Sequence, residues 1–180
     1  DSNGNGIRDK MVNGRRLEFE FTFNIVARPV HQDTGEILKE SLKKIGIKCN
    51  LKAMEWANFQ KELHTKQFDA VMLGWGTSPD VDFDQIWHSR HADEPKSSNF
   101  VAFRNKQADK IIETMEFEFD MEKRYELARQ FHRIIYDEQP YTFLFRSKTP
   151  YFWTPQLMNA TTVGKVRPYM NLRSWYLKQN

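Results

Sequence analysis

The chain has 180 residues, of which 39% are hydrophobic, 28% charged and 14% aromatic, and its formal net charge is +3. This balance excludes a disordered chain, and the length is sufficient for one domain with a buried core. Lys and Arg residues are scattered among almost as many acids, which argues against a nucleic-acid groove. The single cysteine, Cys49, excludes an intrachain disulfide, and no apolar run is long enough to span a bilayer.

The first part of the chain shows a loop, a strand and a helix in turn. Residues 1–16 are polar and rich in Gly and Asn, which predicts a loop, and apolar alternation predicts a strand over residues 17–26. Asp33 is followed three residues later by Glu36, which resembles a capping box. We therefore expect a helix that begins at Asp33 and ends at Gly46.

Three further elements complete a β-α-β-α-β order. They are a second strand over residues 47–53, a short helix with Trp56, Phe59 and Leu63 on its apolar face, and a third strand over residues 68–73. The third strand is the least polar, so we expect it to be the central one. This order favours an α/β fold with a mixed, mostly parallel sheet that is flanked by helices.

The second half of the chain is predicted to be mostly helical. The expected elements are a helix over 83–88, a polar loop over 89–98, an extended segment over 99–103, helices around 108–119 and 125–135, short strands over 141–145 and 151–153, and a tail that is irregular except near 172–177. His132 falls on the apolar face of the last helix, and we expect it in the core. No repeat or low-complexity linker interrupts the chain, so the simplest interpretation is a single domain over 1–180.

The end of the third predicted strand is the most informative stretch. The apolar run stops at Gly74, and Trp75 follows before a turn rich in Gly, Ser, Pro and Asp. Ligands of α/β proteins bind at the carboxyl ends of strands, where an aromatic ring can form a flat wall. We expect Trp75 to be partly exposed and to contact a ligand; the alternative is that it closes the edge of the core. Arg28, just after the first strand, either binds a carboxylate or is a solvated hinge residue.

Two polar clusters resemble metal sites in part. The first has the order of a calcium loop, but Val12 stands where a bidentate Glu is needed, which favours a simple turn; its members are Asp1, Asn3, Asn5, Gly6 and Asp9. The second has no fixed ligand spacing, and an Asp in it suits a helix start; its members are Asp80, Asp82, Asp84, His88 and His91. We expect no metal, no cofactor and no catalysis, because the sequence carries none of the common catalytic signatures.

An ordered set of short motifs resembles a known family. The motifs are Asp1–Lys10, Leu42–Ile47, Glu55–Phe59, Phe68–Trp75, Asn99 with Phe103–Asn105 and Ala108–Lys110, and Gln139–Tyr141. Each is weak alone, but their order across nearly all of the chain is similar to the C-terminal lobe of family 5 extracellular solute-binding proteins. These are the oligopeptide-, dipeptide- and nickel-binding receptors of ABC importers.

The resemblance implies that the chain is one periplasmic-binding-protein-like lobe, a fragment of a larger two-lobe protein. It implies a ligand-binding function without chemistry, for a peptide or another small solute, with an N-terminal lobe of the same protein and an ABC transporter permease as partners. The implied location is periplasmic or extracellular, including a lipoprotein anchored through the missing N-terminus. The ligand-binding residues that we expect from the sequence and the resemblance together are Arg28, Trp75, Gly76, Thr77, Ser78 and Asp80.

One position departs from the family pattern. In peptide-binding members, an acid three residues after the Gly-Trp tryptophan pairs with the α-ammonium of the peptide, and here that position is Ser78. Either Asp80 takes over this role, or the solute is not a peptide with a free amino terminus, and a metal chelate or a sugar is then the alternative. An alternative of another class is a hydrolase-type domain that uses Asp80, Asp82 and His88, and a third is a stand-alone interaction domain.

Overall fold

The computed structural model describes residues 1–76, 82–148, 150, 152–159 and 174–178. The chain divides into two compact units: the first comprises Asp1–Trp75 and Phe83–Glu138, and the second comprises Gly76–Asp82 and Gln139–Asn180. The interpretation of 1–180 as a single lobe stays a prediction. Within the described residues, no helix combines the length and the apolar character that crossing a membrane requires.

An antiparallel hairpin near the N-terminus replaces part of the expected loop. Its strands are β1 (Asp9–Val12) and β2 (Arg15–Glu18). The connection is Asn13-Gly14, with φ values of +49° and +75°. A two-residue hairpin turn of type I′ needs positive φ at both positions, which Asn and Gly tolerate. The loop prediction was therefore wrong for this part of residues 1–16.

A three-stranded parallel sheet forms the centre of the first unit. It consists of β3 (Glu20–Val26), β4 (Lys48–Met54) and β5 (Ala70–Val71), in the order β4-β3-β5. The parallel α/β prediction is confirmed, but the expected central position of residues 68–73 is wrong. In the described sheet β3 is central, because it pairs with β4 on one side and with β5 on the other, whereas β5 pairs with β3 alone and is only two residues long.

Helix α1 (Pro29–Lys43) begins four residues before the predicted start at Asp33. Pro29 occupies the first helical turn, where the missing N–H costs nothing and the fixed φ of proline suits the helix. Asp33 therefore lies inside the helix and does not cap it. The chain leaves the helix through Gly46 at φ +75°, as expected, and a Cβ there would lie 3.0 Å from the carbonyl oxygen of Gly6.

The two faces of the sheet are covered by different helices. Helix α1 packs on the face that carries the buried residues Phe23, Ile25 and Cys49, to which Leu38 and Leu42 contribute. Helix α2 (Trp56–His64) covers the opposite face. The buried residues of that face are Val26, Phe59 and Leu63, and Phe100 packs against them from a later turn. We call this second group the α2-side cluster.

The remaining described elements are mostly helical. They are α3 (Asp84–Trp87), a 3-10 turn (Ser89–His91), α4 (Lys106–Phe117), α5 (Met121–Glu138), and an antiparallel pair in the second unit, β6 (Leu157–Met158) with β7 (Tyr176–Leu177). The extended segment expected over 99–103 is a turn, and residues 141–145 are not a strand. His132 is exposed on α5 rather than buried, because Phe131 and Ile135 face the core.

Candidate functional site

The carboxyl ends of the three parallel strands meet at one edge of the sheet. Strands β3, β4 and β5 end at Val26, Met54 and Val71, and the chain then continues into α1, α2 and the segment that contains Trp75. Because β3 lies between the other two strands, the connection with Arg28 lies between those that carry Trp56 and Trp75. This edge, which we call the carboxyl edge, is the usual place for a ligand in an α/β fold.

Trp75 stands at the carboxyl edge with 42% of its surface exposed. Its indole stacks on the ring of Phe100, with 5.8 Å between the ring centroids and an interplanar angle of 13°. One face of the indole is therefore covered, and the expectation of partial exposure is confirmed. The strand that leads to it is not central in the described sheet, so that part of the expectation was wrong. Its contact with a ligand stays a prediction.

Trp56 occupies a similar position, although its sequence pattern indicated only the apolar face of a short helix. It lies two residues after the end of β4, is 46% exposed, and stacks on Phe59 with 5.9 Å between centroids and an interplanar angle of 17°. Phe59 belongs to the α2-side cluster, and Phe100 packs against the same cluster. Two exposed indoles at this edge are thus supported by one core. The signal for Trp56 was its position after the end of a strand, as for Trp75.

Arg28 is exposed at the start of α1, between the connections that carry the two tryptophans. Its backbone N–H donates to the carbonyl of Val26 at 2.7 Å, and its carbonyl accepts from His31 and Gln32 at 3.0 Å each. Burial, and then the charge of Arg28, lower the pKa of His31 below 6.5. The guanidinium and the positive end of α1 both favour an anion here. Carboxylate binding and a solvated hinge residue both remain compatible with this arrangement.

Thr77, Ser78 and Asp80 lie outside the described residues, so their predicted roles stay predictions. Gly76 is described and exposed. A cavity of about 530 Å³ runs along β4 and α2 and reaches the carboxyl end of β4 at Glu55, with Lys52, Asn58, Lys61 and Glu62 among its other lining residues. This cavity is charged and open, and neither Arg28 nor Trp75 lines it.

The N-terminal residues whose order resembles a calcium loop form hydrogen bonds with the backbone of that same loop. The carboxylate of Asp1 accepts from the N–H groups of Asn5 at 3.1 Å and Gly6 at 2.8 Å. The side-chain oxygen of Asn5 accepts from Ile7 at 2.9 Å, and Asp9 accepts from the N–H of Ser2. These bonds organise a turn that leads into the hairpin.

The second suggested metal cluster is separated into two groups. Asp84 accepts from Arg90 at 2.6 Å and lies 2.7 Å from Nε2 of His91, whose Nδ1 lies 2.6 Å from Glu94. His88 ends α3 rather than sharing its face, and its Nε2 lies 3.3 Å from Glu113. In the part of the chain that the structure describes, no three His, Cys, Asp or Glu side chains converge on a common point.

The pKa values of His91 and Asp84 shift in opposite directions. Hydrogen bonds to Glu94 and then to Asp84 raise the pKa of His91 above 6.5. Burial alone would raise the pKa of Asp84, but hydrogen bonds to Arg90 and His91 outweigh burial and hold it below 3.8. Both shifts favour the charged pair at neutral pH. The pair connects α3 to the 3-10 turn that follows it.

The family model described as "Bacterial extracellular solute-binding proteins, family 5 Middle" matches residues 2–97 of the chain. The chain therefore belongs to family 5 of the bacterial extracellular solute-binding proteins. This match confirms the family to which the ordered motifs pointed.

Similar proteins extend the match to the rest of the chain. Oligopeptide-binding protein AppA of Bacillus subtilis (strain 168) is 29% identical over 179 residues, which are 98% of this chain and 32% of AppA. Its solved structure in complex with a nonapeptide has a TM-score of 0.74 and covers 99% of this chain and 35% of that chain. Di/tripeptide-binding protein 3 of Pseudomonas aeruginosa (strain UCBPP-PA14) is 27% identical over 121 residues, 65% of this chain and 22% of that protein.

A structure with a different solute shows the same fold. NikZ from Campylobacter jejuni, in complex with Ni(L-His), has a TM-score of 0.62 and 21% identity, and covers 73% of this chain and 28% of that chain. This likeness concerns the fold alone. The chain therefore spans about a third or less of the length of the proteins it matches.

We expect His91 to make stability depend on pH. A pKa that is raised on folding stabilises the protein fully below the unfolded value near 6.5, and the contribution is lost as pH rises through the folded value. Replacing His91 with Gln should therefore cost at most about 1 kcal/mol at pH 6, the upper end for exposed ion pairs, and less at pH 8.

Urea unfolding at the two pH values measures this difference, with His132→Gln, at an exposed position on α5, as the control. A cost for His91→Gln that grows between pH 6 and pH 8 would contradict the charged pairing with Asp84 and Glu94.

Proposed function

We propose that this chain is the ligand-binding lobe of a peptide-binding protein that delivers its solute to an ABC importer. The observation that carries the proposal is the exposed indole of Trp75, held at the carboxyl edge by its stack on Phe100. Family membership supports a solute-binding role, and two similar proteins are named for oligopeptides and for di- and tripeptides. The chain would act as a binding module and not as an enzyme.

The carboxyl edge suits an extended peptide. Trp56 and Trp75 offer flat apolar surfaces at a low cost in side-chain entropy, because each ring is already fixed by a stack. Arg28 would bind a carboxylate of the peptide beside the positive end of α1. Gly76, Thr77 and Ser78 would add hydrogen bonds to the peptide main chain. Recognition through the main chain would tolerate many peptide sequences.

The second half of the cleft would come from an N-terminal lobe of the same protein. Closure of two lobes over a ligand buries it and excludes water, which strengthens polar contacts inside the cleft. Such a protein would work outside the cytoplasmic membrane, in the periplasm or on the cell surface, and would pass the peptide to the permease. A lipid anchor on such a longer protein would fit the same role.

The choice between a peptide and another solute depends on whether an acidic side chain binds the amino terminus of the peptide. Ser78 stands at the position where the family pattern expects an acid, and Asp80 is the next acid along the chain. We assign the ammonium of the peptide to Asp80. If no acid takes this role, a solute without a free amino group, such as a metal chelate or a sugar, becomes the better candidate.

The hydrolase alternative is not favoured. His88 is 7% exposed, its Nδ1 accepts from the backbone N–H of Arg90 at 3.1 Å, and its Nε2 lies beside Glu113. A general base needs a free nitrogen within reach of a substrate proton. The hydrogen bonds of His88 are therefore made within the fold, which leaves this histidine poorly placed to act as a general base.

Truncation of Trp75 should weaken peptide binding. In the longer protein to which the proposal assigns this chain, Trp75→Ala should raise the dissociation constant by roughly five- to thirtyfold, and Trp75→Phe by less, because a buried aromatic anchor is worth about 1–2 kcal/mol. Calorimetry with a peptide mixture measures this change. The matched control is Phe119→Ala, an aromatic that is 90% exposed between α4 and α5. Unchanged affinity in Trp75→Ala would contradict the proposed site.

Neutralising Asp80 should discriminate between two forms of one peptide. Asp80→Asn should weaken a peptide with a free amino terminus roughly tenfold to a hundredfold, since a charge-assisted hydrogen bond contributes about 1.5–3 kcal/mol. The N-acetylated form has no ammonium to lose and should change little. Competition titration of both forms gives the ratio. An equal loss of affinity for both forms would mean that Asp80 stabilises the structure and does not bind the ammonium group. If the wild type binds neither form, a non-peptide solute would be favoured.

A further inference from the structure

Asn99 is a fully buried polar residue that no part of the proposed site uses. Its exposed surface is 0%. Its side-chain amide donates to the carbonyl of Phe103 at 2.9 Å and to that of His88 at 3.3 Å, and its side-chain oxygen accepts from the N–H of Phe103 at 2.8 Å. Both donor hydrogens and the acceptor of the amide are thus engaged with main-chain groups. Asn99 joins the end of α3 to the turn over residues 99–103.

The turn that Asn99 closes contains Phe100, the residue whose ring stacks on Trp75. Phe100, the next residue, is half-buried against the α2-side cluster and stacks beneath the indole at 5.8 Å. At the other end of the turn, Phe103 is 6% exposed and meets Trp87 edge-on at 5.6 Å. Ala102 takes a positive φ of +52°, an unfavourable conformation for a residue with a Cβ. The turn therefore depends on specific bonds to keep its shape.

We propose that Asn99 is a positioning residue of the binding surface and that it sets the place of Trp75 through Phe100. The inference rests on the proposed function, in which Trp75 faces the solute. Asn99 itself touches no solute because it is buried. Its two bonds to Phe103 and its bond to His88 fix the main chain on both sides of Phe100, and the stacked ring transmits that position to the indole.

Only an amide satisfies all three main-chain groups. An Asp at position 99 would keep the bond from the N–H of Phe103 but would place a carboxylate against the carbonyls of Phe103 and His88. Asn99→Asp therefore loses at least one of the two donated bonds while it conserves shape, because even a protonated carboxyl group has only one hydrogen to donate. Phe100→Leu removes the ring under Trp75 and leaves Asn99 in place. The pair of variants forms a double-mutant cycle.

The first measurement is the affinity of the longer protein for a peptide mixture, by calorimetry. Residues that act through one contact are coupled by about 0.5–3 kcal/mol. We expect Asn99→Asp to weaken binding about tenfold when Phe100 is present and less than about twofold in the Phe100→Leu background. Equal factors in both backgrounds would overturn the proposal, because Asn99 would then act on the fold and not through Phe100.

The second measurement needs no ligand. Fluorine NMR of the fluorotryptophan-labelled protein reports the ring environment of Trp75, whose resonance is identified by its loss in Trp75→Phe. Asn99→Asp and Phe100→Leu should move this resonance, and the double variant should move it no further than Phe100→Leu alone. If the wild type binds no peptide, the proposed function fails while this readout still decides the positioning role. A resonance that Asn99→Asp leaves in place would overturn the inference.

A matched asparagine separates positioning from stability. Asn105 caps α4, where its side-chain oxygen accepts from Gln107 at 2.8 Å and Ala108 at 2.9 Å. Asn105→Ala should lower the melting temperature through the lost cap but should leave the Trp75 resonance and the affinity unchanged. A shift of the resonance in Asn105→Ala would overturn the specific role of Asn99. If neither Asn99→Asp nor Asn99→Ser folds, the residue is a requirement of the fold and the proposal is overturned.

Discussion

Both exposed tryptophans at the carboxyl edge depend on one apolar cluster. Val26 of the central strand packs there with Phe59 and Leu63 of α2, and all three are buried. Trp56 stacks on Phe59 directly, and Trp75 reaches the cluster through Phe100. Because protein cores are close-packed, such a cluster holds the rings on its rim at fixed distances. The edge is therefore preorganised by the core, as most ligand sites are.

Hydrophobic periodicity predicted correctly those strands and helices that are specified by their own local sequence. The strand expected over 47–53 lies within one residue of the observed β4, and the short helix expected around Trp56, Phe59 and Leu63 matches the observed α2. The Asn13-Gly14 pair was a local hairpin signal that the polar composition of the N-terminus hid. The prediction that the strand over residues 68–73 is central was wrong, because strand pairing decides which strand is central, and pairing is not visible in one strand's sequence. The alternating pattern of β3 suggested that only one of its faces is buried. In the structure, α1 covers Phe23 and Ile25 on one face, and α2 covers Asn24 and Val26 on the other.

The candidate site was predictable where a strand ended in a turn. Trp75 after Gly74 carried that signal, and its partial exposure follows from it. Periodicity placed Trp56 on the apolar face of a helix, but periodicity does not show whether that ring extends past the sheet edge, which depends on tertiary packing. The roles of Asn99 and Phe100 arise from contacts across a turn, which no periodicity encodes. The fold itself does not specify the solute, since structures with a nonapeptide and with Ni(L-His) both resemble this chain.

The central claim is that this chain provides one half of a cleft that closes on a peptide. Calorimetry of the 180-residue chain and of the longer protein, with the same peptide mixture, tests it most directly. A single half cannot exclude water from the ligand, so the chain alone should bind no tighter than about 100 μM, while the longer protein should reach micromolar affinity or better, about −8 kcal/mol. Micromolar binding by the chain alone, in a sample shown to be folded, would contradict the two-lobe account.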